Sequence, residues 1–369
     1  MPPSHPRSLA LTSKMSAGVQ LAIERTLLRA WSNKNALSTA LVPVSWLYAG
    51  LASLQRSLYR RGWRTRQRVP AVVIVVGNVV AGGAGKTPTT IAIVHHLRAQ
   101  GFAVGVVSRG YGRRNDQTLE VGPTTDATQA GDEPLLIHKS TGVPVVVGRD
   151  RAAAASLLLQ RHPDIRIVVC DDGLQHHRLA RDVEVCVFDD RGCGNGRLLP
   201  AGPLREPWPR RGAHPELVAQ GEALVLHTGH HPAFAGYTAK RELQALARSL
   251  DGTTLTLDQL AHLPPSIALA GIAQPDAFFA MLRDRGIALR ETVALPDHYH
   301  FDSIPSNIDE GYPLICTEKD AAKLWRLLPR AFAVGLTLTP EQAFWQAFDA
   351  RVQAALAARL SFAHGHPTS

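Results

Sequence analysis

The chain has 369 residues, long enough for two domains, and its 45% hydrophobic content suits a globular core rather than a disordered chain. Four cysteines with no CxxC pair, and sixteen histidines with no zinc-ligand spacing, point away from a disulfide scaffold and a structural metal site. The formal net charge of +9 suits an anionic partner, whether a phosphorylated ligand, anionic lipid or nucleic acid, with an Arg-rich composition alone as the alternative.

In chain order, residues 1–35 read as an extension without visible chemistry, and no compact apolar leader with a cleavage site is found there. Residues 36–62 are expected to form a membrane-associated helix with a basic flank. The uncharged stretch 35–55 carries Trp46 and Tyr48, side chains suited to a bilayer interface. Arg56, Arg60, Arg61, Arg64, Arg66 and Arg68 follow it. Its length is marginal for a span of about 20 residues, and Pro43 and several hydroxyl residues dilute it. It is therefore expected to lie in or on an inner-membrane leaflet; the alternative is a helix buried against the domain.

From Ala71 onward, short apolar runs alternate with helical stretches. Strands are expected at Ala71–Val76, Ala103–Val107, Pro144–Val147, Ile165–Cys170, Val183–Phe188 and Ala223–His227, with helices such as Pro134–Thr141 and Arg151–Arg161 between them. This predicts an α/β core over residues 63–232, a mostly parallel sheet with helices on both faces. Ligands of such sheets collect at the carboxyl ends of the strands. Arg241–Leu250 and Thr253–Leu260, split by Asp251-Gly252, are expected as a hairpin in a β linker over residues 233–265. Residues 266–369 then restart strands at Ser266–Ala270, Pro313–Thr317 and Ala331–Leu336, alternating with helices Pro275–Gly286 and Pro340–Arg359. They predict a smaller C-terminal α/β domain.

The first expected strand runs into Val80-Ala81-Gly82-Gly83-Ala84-Gly85-Lys86-Thr87, and a helix is expected from about Pro88 to Ala99. Strand, glycine loop and Lys-Thr in this order are the setting of a P-loop, whose backbone N–H groups cradle phosphates. Lys86 is expected to reach the β- and γ-phosphates of ATP, and Thr87 to hold Mg²⁺. Val80 stands where the strict pattern has glycine. Asp171 and Asp172 end another apolar strand, a Walker-B-like pair able to hold Mg²⁺, or else an Asx turn. Gly131-Asp132-Glu133-Pro134 reads either as a helix cap or as a general base beside a metal-ordering acid.

Arg109 lies in a glycine-rich loop suited to phosphate or sugar. The loop from Arg191 to Glu206 carries Arg191, Asn195 and Arg205, candidates to bind an anionic substrate, with a solvated surface loop as the alternative. His298, beside Asp297, is a candidate to tune a base across a cleft.

Taken together, these stretches resemble the tetraacyldisaccharide 4'-kinase family. The resemblance rests on Leu47-Tyr48, Val76 through Pro88, Ser108–Arg113, Gly131–Pro134, Asp171–His176, Gly194–Glu206, Gly271-Ile272, Pro296–Phe301 and Thr317–Lys323, over roughly residues 36–325. It implies a P-loop kinase core and transfer of the ATP γ-phosphate to the 4'-hydroxyl of a tetraacyldisaccharide 1-phosphate, forming lipid IVA in lipid A biosynthesis. It further implies Asp132 as catalytic base, His298 as its partner, and Glu133, Asp171 and Asp172 as metal-organising acids. The implied setting is the inner membrane, with the catalytic part in the cytoplasm. The competing reading is a P-loop NTPase acting as a switch or metallochaperone. The basic residues cluster beside an apolar segment rather than among aromatics on strands, so no nucleic-acid partner is expected, and no protein partner is evident.

Overall fold

A computed structural model describes residues 26–113, 115–210, 223–299, 301, 308 and 311–364. Most of the 1–35 extension, and His300 within the Pro296–Phe301 stretch, lie outside the described residues.

Among the described residues, thirteen strands form one sheet, mostly parallel. The first half of the chain supplies β1 (Val72–Gly77), β2 (Val104–Ser108), β3 (Leu119–Glu120), β4 (Val145–Val147), β5 (Ile167–Asp171), β6 (Val183–Phe188) and β7 (Leu224–His227). β1 lies between β5 and β6, parallel to both. Its run of β-branched residues is buried on both faces, as a central parallel strand requires. Val72, Ile74 and Val76 enter one core cluster, and Val73 and Val75 enter the other. Helices α3 (Lys86–Ala99), α4 (Ala127–Ala130), α5 (Asp132–Thr141) and α6 (Arg151–Arg161) connect these strands, after α1 (Ala36–Ala40) and α2 (Val42–Arg60) at the amino end.

β8 (Tyr237–Arg248) is the spine of the molecule. Its first residues pair in parallel with β7, and the rest pairs antiparallel with β13 (Phe332–Pro340). The expected linker is thus built on one 12-residue strand that joins both halves into one sheet and pairs antiparallel with the short strand after it, the expected hairpin. The expected strand Thr253–Leu260 is shorter than anticipated. β9 covers only Thr254–Thr256, and α7 (Leu257–Ala261) follows. A capping box explains the break: Gln259 N donates to the Thr256 hydroxyl, and Thr256 N donates back to the Gln259 side chain.

Beyond it come β10 (Ser266–Ala270), α8 (Pro275–Asp284), β11 (Leu289–Ala294), β12 (Leu314–Thr317) and α9 (Glu318–Leu324). The last helix, α10 (Gln342–His364), crosses back to the first half. Phe344, Phe348 and Val352 pack into the core with β1, β6 and β7. The cause is register: antiparallel β13 ends with Pro340 opposite Ala239, beside the β7 edge, and Glu341 N donates to the Thr238 carbonyl.

α2 presents two faces. Ser45 is buried and Tyr48 half-buried against the 191–206 loop, whereas Val44, Leu47, Leu51 and Leu54 are 52–66% exposed. Those four recur at helical spacing and form one uncovered apolar stripe. No helix among the described residues is long and apolar enough to cross a membrane.

Phe344 is fully buried at the junction of the two halves. Phe344→Ala is expected to cost about 3–5 kcal/mol in denaturant unfolding. A loss below about 1 kcal/mol, the range of surface changes, would contradict the packing of α10 on the first half.

Candidate active site

The P-loop links β1 to α3, which begins at Lys86 itself, two residues before the expected start. Pro88 falls in the first turn, where a missing N–H breaks no helical bond. Gly82 and Gly85 have φ of 96° and 88°, a region other residues rarely adopt. At Gly85 a Cβ would also lie 3.0 Å from Arg241 Nη2 and 3.1 Å from Thr228 Oγ1.

The outer side of the loop is braced. Thr228 Oγ1 donates to the Ala84 carbonyl at 2.9 Å. Arg191 donates to the carbonyls of Gly83 at 3.2 Å and Ala81 at 3.5 Å, and pairs with Asp189 at 2.7 Å. Gln274, from the second half of the chain, donates to the same Asp189 carboxylate at 2.6 Å. The loop carbonyls are thereby occupied from behind, which suits a loop whose N–H groups serve an anion. Arg191, expected at the anionic end of the substrate, instead supports the P-loop.

Lys86 lies 3.9 Å from Asp172 and donates to the Gly82 carbonyl at 3.4 Å. At the tip of β5, buried Asp171 accepts from Thr90 Oγ1 at 2.9 Å and Ser108 Oγ at 3.5 Å. Burial, with the Glu133 and Asp172 carboxylates close by, pushes Asp171 up to about 7. Burial also opposes ionisation of Asp172, but Lys86, Arg205 and Arg151 outweigh it and hold that carboxyl below its ordinary value.

Among the described residues, no three His, Cys, Asp or Glu side chains converge closely enough to hold a metal ion unaided. Mg²⁺ needs no such cage, since one or two carboxylates, a hydroxyl and substrate phosphates suffice. Burial first, and then the Glu133 and Asp172 carboxylates, penalise charge on Asp171, a penalty a divalent cation would relieve, so Thr87, Asp171, Asp172 and Glu133 are the groups that would hold Mg²⁺.

α5 opens with Asp132 and Glu133, where the helix dipole favours anions. The Asp132 side chain is only 6% exposed, and its partners come from the second half of the chain. His298 Nδ1 lies 3.2 Å from Asp132 Oδ2, and Lys323 Nζ lies 2.6 Å from the same oxygen. Burial alone would raise the Asp132 carboxyl. The bonds to His298 and Lys323 outweigh that and hold it below the usual carboxylate range. Lys319 pairs with Asp297 at 2.9 Å and Glu133 at 3.5 Å. A cavity of about 660 Å³ lies between the halves. Lys86, Thr87 and Glu133 line one side; Gln274, Asp297 and Lys319 line the other.

The remaining expected substrate residues separate. Arg109 is exposed just past β2. Arg205 pairs with Asp172 at 3.2 Å, and its carbonyl accepts from the Tyr48 hydroxyl at 2.7 Å. Asn195 is turned inward. Its amide donates to the carbonyls of Ala30 and Ala201, and its oxygen accepts from Arg197 N. A long irregular loop has many backbone groups to satisfy, and Asn195 is used for that purpose rather than presented to a ligand.

Lys323 closes the Thr317–Lys323 stretch without a role legible from it, and Arg241, Gln274 and Thr228 carry no motif. One trace of the first was readable: Lys319 and Lys323 lie four residues apart, directly after a strand, and so share one helix face.

Arg191→Ala removes charged hydrogen bonds worth about 1.5–3 kcal/mol in comparable settings. It is expected to weaken binding of a nucleotide triphosphate about tenfold or more. Unchanged nucleotide binding would contradict a bracing role for Arg191.

A sequence model of the tetraacyldisaccharide-1-P 4'-kinase family matches residues 37–357. The tetraacyldisaccharide 4'-kinase of Polaromonas naphthalenivorans is 51% identical over 351 residues, covering 94% of this chain and all of its own. That of Acidovorax ebreus is 52% identical, covering 88% of this chain and 93% of its own. The crystal structure of LpxK from Aquifex aeolicus in complex with ATP superposes with a TM-score of 0.71 at 28% identity. The match spans 87% of this chain and 99% of that one. With a match across nearly the whole chain and half the residues identical to its curated relatives, this protein belongs to the tetraacyldisaccharide 4'-kinase family.

Proposed function

We infer that the protein transfers the γ-phosphate of ATP to the 4'-hydroxyl of a tetraacyldisaccharide 1-phosphate, with Asp132 as the base that receives the hydroxyl proton. The observation that carries the assignment of Asp132 is its setting. It is a buried carboxylate at a helix start, next to the cavity-lining Glu133, bonded to His298 from the second half of the chain, beside the cavity-lining Asp297. A sugar hydroxyl attacks phosphorus well only when a positioned group accepts its proton. Lys86 and the P-loop amides hold the β- and γ-phosphates and stabilise charge on the transferring group. Thr87, Asp171, Asp172 and Glu133 would hold Mg²⁺, which would neutralise phosphate charge. Family membership favours this phosphotransferase reading over a switch or metallochaperone.

The acceptor is a lipid, so the enzyme must meet it at a membrane surface. The exposed stripe Val44, Leu47, Leu51 and Leu54, with Trp46 beside it, supports α2 lying in an anionic leaflet on the cytoplasmic face of the inner membrane. Exposed Arg60, Arg61, Arg64 and Arg68 suit its headgroups.

Two outcomes test this reading. Lys86→Ala and Asp132→Asn are each expected to lower transfer of labelled γ-phosphate to the lipid about 10²–10⁴-fold, with the fold retained. Transfer at the wild-type rate by Asp132→Asn would remove the base assignment. Leu47→Gln with Leu51→Gln should weaken binding to vesicles containing anionic lipid about tenfold per site, since each buried leucine contributes about 1.5–3 kcal/mol. Unchanged vesicle binding would move the membrane contact elsewhere.

A further inference from the structure

α9 follows β12 directly and presents two lysines, one helical turn apart, to the two acids that open α5. Lys319 takes Glu133 and Asp297. Lys323 has a different set of partners. Its Nζ meets Asp132 Oδ2 at 2.6 Å, the Tyr299 carbonyl at 3.1 Å and the His298 carbonyl at 3.5 Å. An ammonium group has three N–H donors, and here three acceptors surround it. Two of those acceptors belong to the loop that carries His298, and the third is the carboxylate that His298 faces.

That loop needs an external hold. His298 and Phe301 have φ of 61° and 50°, left-handed conformations that residues with a Cβ adopt only when the surroundings impose them. Asp297 is tied by Lys319, and the next two carbonyls are tied by Lys323. We propose that Lys323 is a positioning residue for phosphoryl transfer, holding the Asp132 carboxylate and the His298 loop in fixed relation across the cleft. The proposal rests on the reading of Asp132 as the base.

Geometry, rather than basicity, is what Lys323 contributes. A cation beside a carboxylate weakens it as a base, so an enzyme seeking only a stronger base would not place one there. Phosphoryl transfer depends chiefly on alignment of the attacking oxygen, because the transition state is loose and little proton transfer precedes it. His298 and Lys323 both engage Oδ2 and so fix the direction in which the carboxylate is held. In the transfer step the 4'-oxygen forms its bond to the γ-phosphorus, the bond from phosphorus to the β,γ-bridging oxygen breaks, ADP leaves, and the hydroxyl proton passes to Asp132.

The test is a double-mutant cycle with Lys323→Met and Asp132→Asn in the full chain. It is read as kcat and KM for labelled transfer from ATP to tetraacyldisaccharide 1-phosphate in mixed micelles. Lys323→Met is expected to lower kcat about 10²-fold, the cost of a misplacement near 1 Å, with both KM values within about threefold. In the Asp132→Asn background the same change should cost less than about threefold, because the group it positions is already disabled. Lys323→Gln, which keeps an N–H donor without the charge, carries the comparison if the methionine variant does not fold.

A kcat within about threefold of wild type, a raised KM with kcat unchanged, or an equal loss in both backgrounds would overturn the proposal. Wild-type kcat in Asp132→Asn alone would overturn the base reading and the proposal with it. An active-base result with an indifferent Lys323→Met overturns only the proposal.

Discussion

A carboxylate with little access to water has to be paired, and Asp132 is paired across the molecule. Its helix belongs to the first half of the chain, while His298 and Lys323 belong to the second. Neither half therefore holds the site alone. The geometry depends on how the two halves are joined, and β8 joins them by running as one strand from β7 to β13. α10 reinforces the join by carrying the end of the chain back onto β1, β6 and β7. The sheet is thus both scaffold and alignment device.

The same division recurs at the phosphate end. Asp189 receives Arg191 from its own half and Gln274 from the other, and Arg191 then engages the P-loop carbonyls. On the opposite side of Asp172, the amino-terminal helices are fastened to the 191–206 loop. Ser45 donates to the Leu198 carbonyl, and Tyr48 donates to that of Arg205, whose guanidinium reaches Asp172. The helix with the exposed apolar stripe is therefore two bonds away from an acid of the active site. The exposed apolar stripe and the acids beside the P-loop are thus tied to one loop.

What was legible in the sequence is what depends on local pattern. The run Val72–Val76 reads as a buried strand from its own composition, and the glycines before Lys86 read as a phosphate loop from their spacing. Asp132, Glu133, Asp171 and Asp172 stood out because acids at strand and helix ends are placed by backbone alone. Other features needed the fold. Arg191 and Asn195 look available for a ligand on paper; only the tertiary arrangement shows their donors turned to the P-loop and to the loop interior. Lys323 is separated from Asp132 by 191 positions, and no helical or strand period connects them. The placement of α10 follows from the register of β13 against β8, which an apolar period does not encode.

The measurement that bears most directly on this account is a structure of the enzyme with a non-hydrolysable ATP analogue and the lipid disaccharide acceptor. The 4'-hydroxyl oxygen is expected within about 2.6–3.2 Å of a carboxylate oxygen of Asp132, with the γ-phosphorus in line behind it. A hydroxyl lying beyond the reach of one bridging water from Asp132, with a different side chain bonded to it, would contradict it.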